Sequence, residues 1–382
     1  MPSALRIRLP GLALAAAIAV VATVIGHLIP LIGGPVSGIV IGVVLGLFLK
    51  PGPVLSPGVK TASKFVLQLS VVVLGSQLSL AEIARAGVES LPVMLGTLVV
   101  CLVGAWLIGR WLGVVGNLRT LVGVGTGICG ASAIAAVTPV IGAVGAEVAY
   151  AVSTIFLFNV AAVLLFPFIG HLLGLSQHAF GLFAGTAIND TSSVVAAATT
   201  YGSEAANYAV VVKLVRTLMI IPISLGLAAL VGRRERRLAM IETADAAAAP
   251  GTEAAPHTEA APGTEAALGT ATSRAAAPGA AALDPEARRR PRVHVFRLVP
   301  WFLIGFVVIA AVNSLGVIPA AAHPALSQAS VFLITMALSA IGLSTDIAGF
   351  RRAGARPLIL GGCLWLLVSL TSLGLQFATG LM

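Results

Sequence analysis

Eleven stretches of this chain are apolar over roughly the ~20 residues that a helix needs to cross a ~30 Å hydrocarbon core, and this constrains the fold more than any other feature. They run from Gly11 to Ile29, Gly34 to Leu49, Ala62 to Leu80, Leu91 to Trp111, Thr120 to Gly142, Gly145 to Phe168, Gln177 to Thr200, Glu204 to Val231, Val299 to Ile318, Leu326 to Ile347 and Pro357 to Thr379. The expectation is an all-α polytopic membrane protein of about eleven transmembrane helices. Of the 382 residues, 58% are hydrophobic and only 10% charged, with a mean hydropathy of +1.03. That leaves too little polar surface to coat a water-soluble globule.

The net charge of +9 could suggest nucleic acid as a partner. That reading needs a basic face on a soluble fold, whereas here the basic residues fall between the apolar runs. They are topology signals. With the N-terminus in the cytoplasm, the inner loops receive Arg6 and Arg8, then Lys50, Lys60 and Lys64, then Arg110 and Arg119, then an arginine-rich linker, then Arg351, Arg352 and Arg356. The outer loops receive only Arg85. The positive-inside rule therefore predicts a cell-membrane protein with a cytoplasmic N-terminus and an extracytoplasmic C-terminus. The first apolar run is too long for a signal peptide and is expected to stay as the first helix.

Composition divides the chain into membrane helices over 1–237, a linker over 238–296 and further membrane helices over 297–382. The linker turns to Ala, Pro, Glu, Thr and Gly, includes PGTEAAPHTEAAPGTEAALGT, and has no periodic apolar face to bury. It is expected to be a disordered cytoplasmic tether, its arginine-rich flanks (Arg233, Arg234, Arg236 and Arg237; Arg288, Arg289, Arg290 and Arg292) lying near anionic headgroups.

Two internal likenesses point to repeats. GTGICGASA at 125–133 can be laid over GTAINDTSS at 185–193, and each is followed by a similar helix start, GAEVAYAV at 145 and GSEAANYAV at 202. LGSQLSLAEIARAG at 74–87 pairs with IGLSTDIAGFRRAG at 341–354. Segments 3 and 10 run oppositely under the predicted topology, so the second pair is related by inversion, as in secondary transporters. Segments 5 and 7 run the same way, so the first pair is either a parallel repeat or has a re-entrant member.

The glycine-rich GVGTGICGAS is poor material for an unbroken helix and predicts a mid-membrane break. Unwound backbone at that depth lines a polar cavity or is buried in protein, and it presents the amides of the following half-helix to an anion. Close packing through small residues is the competing explanation for Gly125, Gly127 and Gly130. In segment 7, five consecutive polar residues, Asn189, Asp190, Thr191, Ser192 and Ser193, exceed what packing requires. Lys213 and Arg216 share one face of segment 8, Lys213 roughly 14 Å into the membrane. A cation there costs on the order of 3 kcal/mol, so it needs a partner or a cavity. Three roles stay open for the pair: attracting an anion to the half-helix N-termini, pairing Lys213 with Asp190 for proton–cation exchange, or a structural ion pair. Glu147 and Glu204 are expected to cap helix starts. His27, His171, His178 and His323 belong near the interfaces. Cys101, Cys129 and Cys363 show neither disulfide nor zinc spacing.

GTGICGASAIAAVTPVIGA, GTAINDTSSVVAAA, VVVKLVRTLMIIP and LGSQLSL resemble the YeiH-type family of bacterial inner-membrane proteins, named for proposed sulfate export, over nearly all the hydrophobic part of the chain. Only the Ala/Pro-rich linker departs from the family pattern. The resemblance implies a distant relation to the cation/proton antiporter and anion transporter clan, with inverted repeats and interrupted helices, and a sulfate or sulfonate cargo. Asn189–Asp190 is also similar to the Asn–Asp pair of some sodium/proton antiporters, which implies a cation/proton exchanger as the alternative.

The sequence thus predicts a secondary anion transporter working by alternating access. Thr126, Cys129, Gly130 and Ser132 form one wall of a midplane site, Asn189, Asp190, Thr191, Ser192 and Ser193 the other, and Lys213 with Arg216 the positive field. A proton or sodium ion is the expected coupling partner, and self-association stays open. No cofactor, metal or nucleic acid is expected. The chain lacks HExxH, GxSxG and nucleotide-binding motifs, so a membrane enzyme is the weaker reading.

Overall fold

In a computed structural model of the protein, residues 2–28, 33–49, 52–114, 116–248, 301–344 and 355–382 are described. Among them there are helices and no strands. The helices are α1 (Pro2–Leu28), α2 (Gly33–Leu49), α3 (Ser56–Thr61), α4 (Leu67–Leu74), α5 (Leu80–Trp111), α6 (Gly116–Gly127), α7 (Ala131–Ile141) and α8 (Gly145–Leu172). There follow α9 (Gln177–Ala187), α10 (Thr191–Tyr201), α11 (Ser203–Leu218), α12 (Ile220–Ala248), α13 (Trp301–Ser314), α14 (His323–Leu343) and α15 (Ala355–Thr379). A π turn joins α3 to α4. Seven helical stretches are long and apolar enough to cross a membrane, and Gly33–Phe48, Ala131–Ile141 and Trp301–Ser314 are shorter apolar helices. The protein is an all-α membrane protein.

The chain forms two compact units, 1–228 with 294–382, and 229–293. In the second unit the described part, 229–248, is helical. Helix therefore continues to Ala248, into the stretch that composition assigns to the linker. Ala, Glu, Leu and Met, strong helix formers, dominate LAMIETADAAA and explain the extension. The rest of the linker, 249–296, lies outside the described residues, as do Arg351 and Arg352.

Within the first unit, α2 and α14 meet through glycines. A Cβ on Gly38 would fall 2.9 Å from Ser339 Oγ, and one on Gly342 would collide with the backbone of α2. Small residues let these backbones approach, which is the packing route open to helices in lipid. Helices α4 and α14 are antiparallel: the Ser330 hydroxyl donates to Ser70 O at 3.0 Å, while Gln77 Nε2 donates to His323 O at 3.2 Å. The 74–87 and 341–354 likeness thus begins on oppositely directed helices, as inversion requires. Ser79 caps α5 in a reciprocal box with Glu82.

The two glycine- and polar-rich segments differ from the expectation of broken spanning helices: both turn back. Phe180, at the start of α9, stacks on Tyr201, at the end of α10, with ring centroids 3.8 Å apart. Both rings lie against Gly170 of α8. The Tyr201 hydroxyl donates to Leu175 O, and Gln177 Oε1 accepts from the amides of Glu204 and Ala205. Helices α9 and α10 therefore enter and leave at the same end of the bundle, and α11 then runs alongside α9, with Gly185 against Val212.

The α6–α7 pair behaves likewise from the other end. Helix α6 is antiparallel to α5, since Gly109 meets Arg119 and Gly127 meets Leu98. Helix α5 is antiparallel to α15, with Gly104 at Leu367 and Gly96 at Leu375. Gly361 near the start of α15 touches Thr154, and Trp365 farther along stacks on Phe166 of α8, so α15 and α8 are parallel. Gly116 therefore lies at the same end as Gly145, which α7 reaches through the Gly142 turn. Across the fold-back, Gly125 packs on Ile134.

Each hairpin arm has 11 or 12 residues, about 17 Å, or half a bilayer core. The two hairpins enter from opposite ends, and each is followed by a long helix. Units α6–α7–α8 and α9–α10–α11 are consequently inverted repeats. The parallel alternative fails because both members of the pair, not one, are re-entrant.

Candidate functional site

The hairpin tips, 128–130 and 188–190, touch near the middle of α8. A Cβ on Gly130 would lie 3.3 Å from Asp190 Cβ and 3.5 Å from Ile155 Cγ2. Asn159, one turn beyond Ile155, accepts the Asn189 backbone N–H through its Oδ1 at 3.1 Å. Gly130 adopts φ 69° and ψ −130°, a backbone conformation open to glycine, which lets the first tip reverse. The second tip reverses with Ile188 and Asp190 both extended.

The incoming arms α6 and α9 end at the tips with carbonyls that no helix satisfies. Lys213 and Arg216 of α11 take these carbonyls. Lys213 Nζ donates to Ile128 O at 3.1 Å and Ile188 O at 2.6 Å. Arg216 donates from Nε to Gly127 O at 2.7 Å, from Nη2 to Thr126 O at 3.3 Å and from Nη1 to Thr186 O. Each cation therefore spans both hairpins and sits at two helix C-termini, the negative ends of their dipoles. Both side chains are 0% exposed. Among the described residues the ion pair within 4.0 Å is His178–Glu89, so no salt bridge joins Lys213 to Asp190. Carbonyls, not a carboxylate, are the partners that depth demands.

The outgoing arms α7 and α10 begin at the tips, and their amides face the other way. Asp190 caps α10: its Oδ1 accepts the Ser193 amide at 3.0 Å and its Oδ2 accepts the Ser192 hydroxyl at 2.5 Å. Asp190, Thr191 and Ser192 are half-buried and Ser132 is exposed. Asn189 is 1% exposed, and both polar atoms of its side chain lack a hydrogen-bond partner. A buried amide with nothing to bind costs about 1–3 kcal/mol, so it marks a place where a ligand or water belongs.

The predicted site residues thus divide. Thr126, Lys213 and Arg216 are sealed behind the tips, where Thr126 contributes its carbonyl. Cys129 is buried at the first tip. Gly130, Ser132, Asn189, Asp190, Thr191, Ser192 and Ser193 gather at the half-helix N-termini. Sequence reasoning misses Asn159, the unpartnered Thr154 hydroxyl on α8, and a buried polar chain running from Thr186 through Ser372 to Gln376. Single polar residues inside apolar runs are the signal that could have found them. Glu147 does cap α8, accepting the Val144 amide at 3.0 Å.

A family model described as Conserved hypothetical protein 698 matches residues 10–247 and 284–361. The chain belongs to this family. It is 37% identical over 378 residues to a UPF0324 membrane protein of Streptococcus pyogenes serotype M3, covering 98% of each chain. A UPF0324 membrane protein of Streptococcus mutans serotype c is 36% identical over 382 residues, again with 98% of each chain covered. One from Clostridium tetani is 34% identical, with 97% of each covered. No solved structure matches the chain.

Proposed function

We propose that this family member is a secondary transporter of a small anion, of the sulfate or sulfonate class, whose site lies at the N-terminal side of the two hairpin tips. The observation that carries the reading is the convergence there of two helix N-termini with the unpartnered, buried side-chain amide of Asn189. Helix N-termini concentrate positive potential and free N–H groups, and pairs of them at mid-membrane suit an anion. Lys213 and Arg216 contribute their field from behind, through the tips, rather than as ligands. Hairpins inserted from opposite ends give two routes to one site, which supports alternating access. Taking two crossings out of the predicted topology moves only the 142–144 and 173–176 loops across the membrane. The basic loops keep their cytoplasmic side, and the C-terminus stays opposite the N-terminus.

The test is uptake of radiolabelled sulfate into proteoliposomes under a proton gradient, comparing wild type with Asn189→Leu. Saturable uptake by wild type and its loss in the variant, with the thermal midpoint unchanged, is the expected result. Equal uptake by both would move the site elsewhere. Of the tip residues only Asp190 carries a carboxylate, and this favours cation/proton exchange as the second reading. It would be upheld by sodium-driven proton movement that disappears in Asp190→Asn while sulfate is not moved.

A further inference from the structure

Resting on the anion reading above, we propose that Asp190 is a built-in stand-in for the anion, so that the tip site accepts its ligand only together with one proton that neutralises this carboxylate. The carboxylate already occupies the place an anion would take. It holds one of the free first-turn amides of α10, that of Ser193, and the Ser192 hydroxyl, and its Cβ borders Gly130, the residue that caps α7. An arriving anion would meet a like charge a few Å away and would find those donors engaged.

Protonation reverses each of these obstacles. The proton comes from water onto an Asp190 carboxylate oxygen and returns there when the anion leaves, and no other bond changes. The charge disappears, the Ser192 hydroxyl and Ser193 amide are freed, and the carboxyl becomes a donor. Asn189, without a partner in the resting arrangement, supplies a further N–H donor. The groups around Asp190 fit this role because none of them forms an ion pair with it, Lys213 acting on it only through its field from behind the tip. The facing tip offers Gly130 and the buried Cys129 thiol, and α8 offers Ile155 and Asn159. On α11, Lys213 is bonded to Ile128 O and Ile188 O. Of these only Lys213 is a cation, and it forms no ion pair with Asp190 within 4.0 Å.

Calorimetric sulfate binding to the full-length protein in detergent tests the proposal, from about pH 5 to about pH 8 and in two buffers of different ionisation enthalpy. The variants Asp190→Asn and Asp190→Ser keep a side chain able to cap α10 and so preserve the fold, which a thermal midpoint checks. Wild type is expected to take up one proton per sulfate, its dissociation constant rising about tenfold per pH unit once Asp190 is ionised. Both variants are expected to bind sulfate with a constant independent of pH and with no proton uptake. Sulfate binding by wild type with no pH slope, or the same slope in the variants, overturns the stand-in role and leaves the anion site. Binding by none of the three proteins at any pH overturns both.

Discussion

The two sides of the hairpin tips use the same helix-end chemistry to opposite purposes. Behind the tips, five carbonyls, those of Thr126, Gly127, Ile128, Thr186 and Ile188, are answered by two side chains of α11. In front, the capping carboxylate of Asp190 is half-buried, Ser132 is exposed, and the Asn189 side chain has no partner. Lys213 and Arg216, the costliest residues to bury, spend their donors on backbone carbonyls, whereas the side chain of the neutral Asn189 is left without a partner.

The sharpest way to break this comparison is to test the fold-back itself. Cysteines at Phe180 and Tyr201, whose rings lie 3.8 Å apart, are expected to form a disulfide under mild oxidation, seen as a mobility shift after cleavage between them. Were α9 and α10 one spanning helix, these positions would stand about 30 Å apart and no cross-link would form. Next comes Arg216→Ala, which leaves carbonyls of both hairpins unpaired in a dry site. A loss of about 3–5 kcal/mol of stability is expected. A thiol-reactive dye reports it, since Cys101 and Cys129 are buried and become reactive on unfolding. An unchanged midpoint would show that the cation is not a clamp. Gly130→Ala is expected to cost less, about 1–3 kcal/mol, because a side chain at φ 69° is strained and its Cβ would press on Asp190. The same assay measures it.

Much of the frame was legible in sequence, because apolar length and arginine placement reflect one physical demand, that of the bilayer. The runs from Gly11 to Ile29 and from Pro357 to Thr379 end within a residue of α1 and α15, while α1 starts earlier, at Pro2. Apolar length could not tell the α9–α10 hairpin from a crossing, since two half-length arms joined by three residues are as long and as apolar as one span. The likeness of 125–133 and 185–193 left open a parallel repeat or one re-entrant member, and the contacts of the structure replace both with two oppositely inserted hairpins. The depth of Lys213 and Arg216 was legible, but their partners were not: backbone carbonyls carry no sequence signature, and Asp190 was the visible acid. Asn189 stood in the sequence as one of five polar neighbours, and only the structure separates its unpartnered amide from the capping carboxylate beside it.

The measurement that tests the account most directly is labelling of Ser132→Cys and of Thr191→Cys by a membrane-impermeant thiol reagent, with Cys363 replaced by Ala and the buried Cys101 and Cys129 left in place. If the N-terminal side of the tips is the anion site, both positions are labelled in membranes and sulfate slows the labelling of both. Labelling that sulfate leaves unchanged at both positions would contradict it.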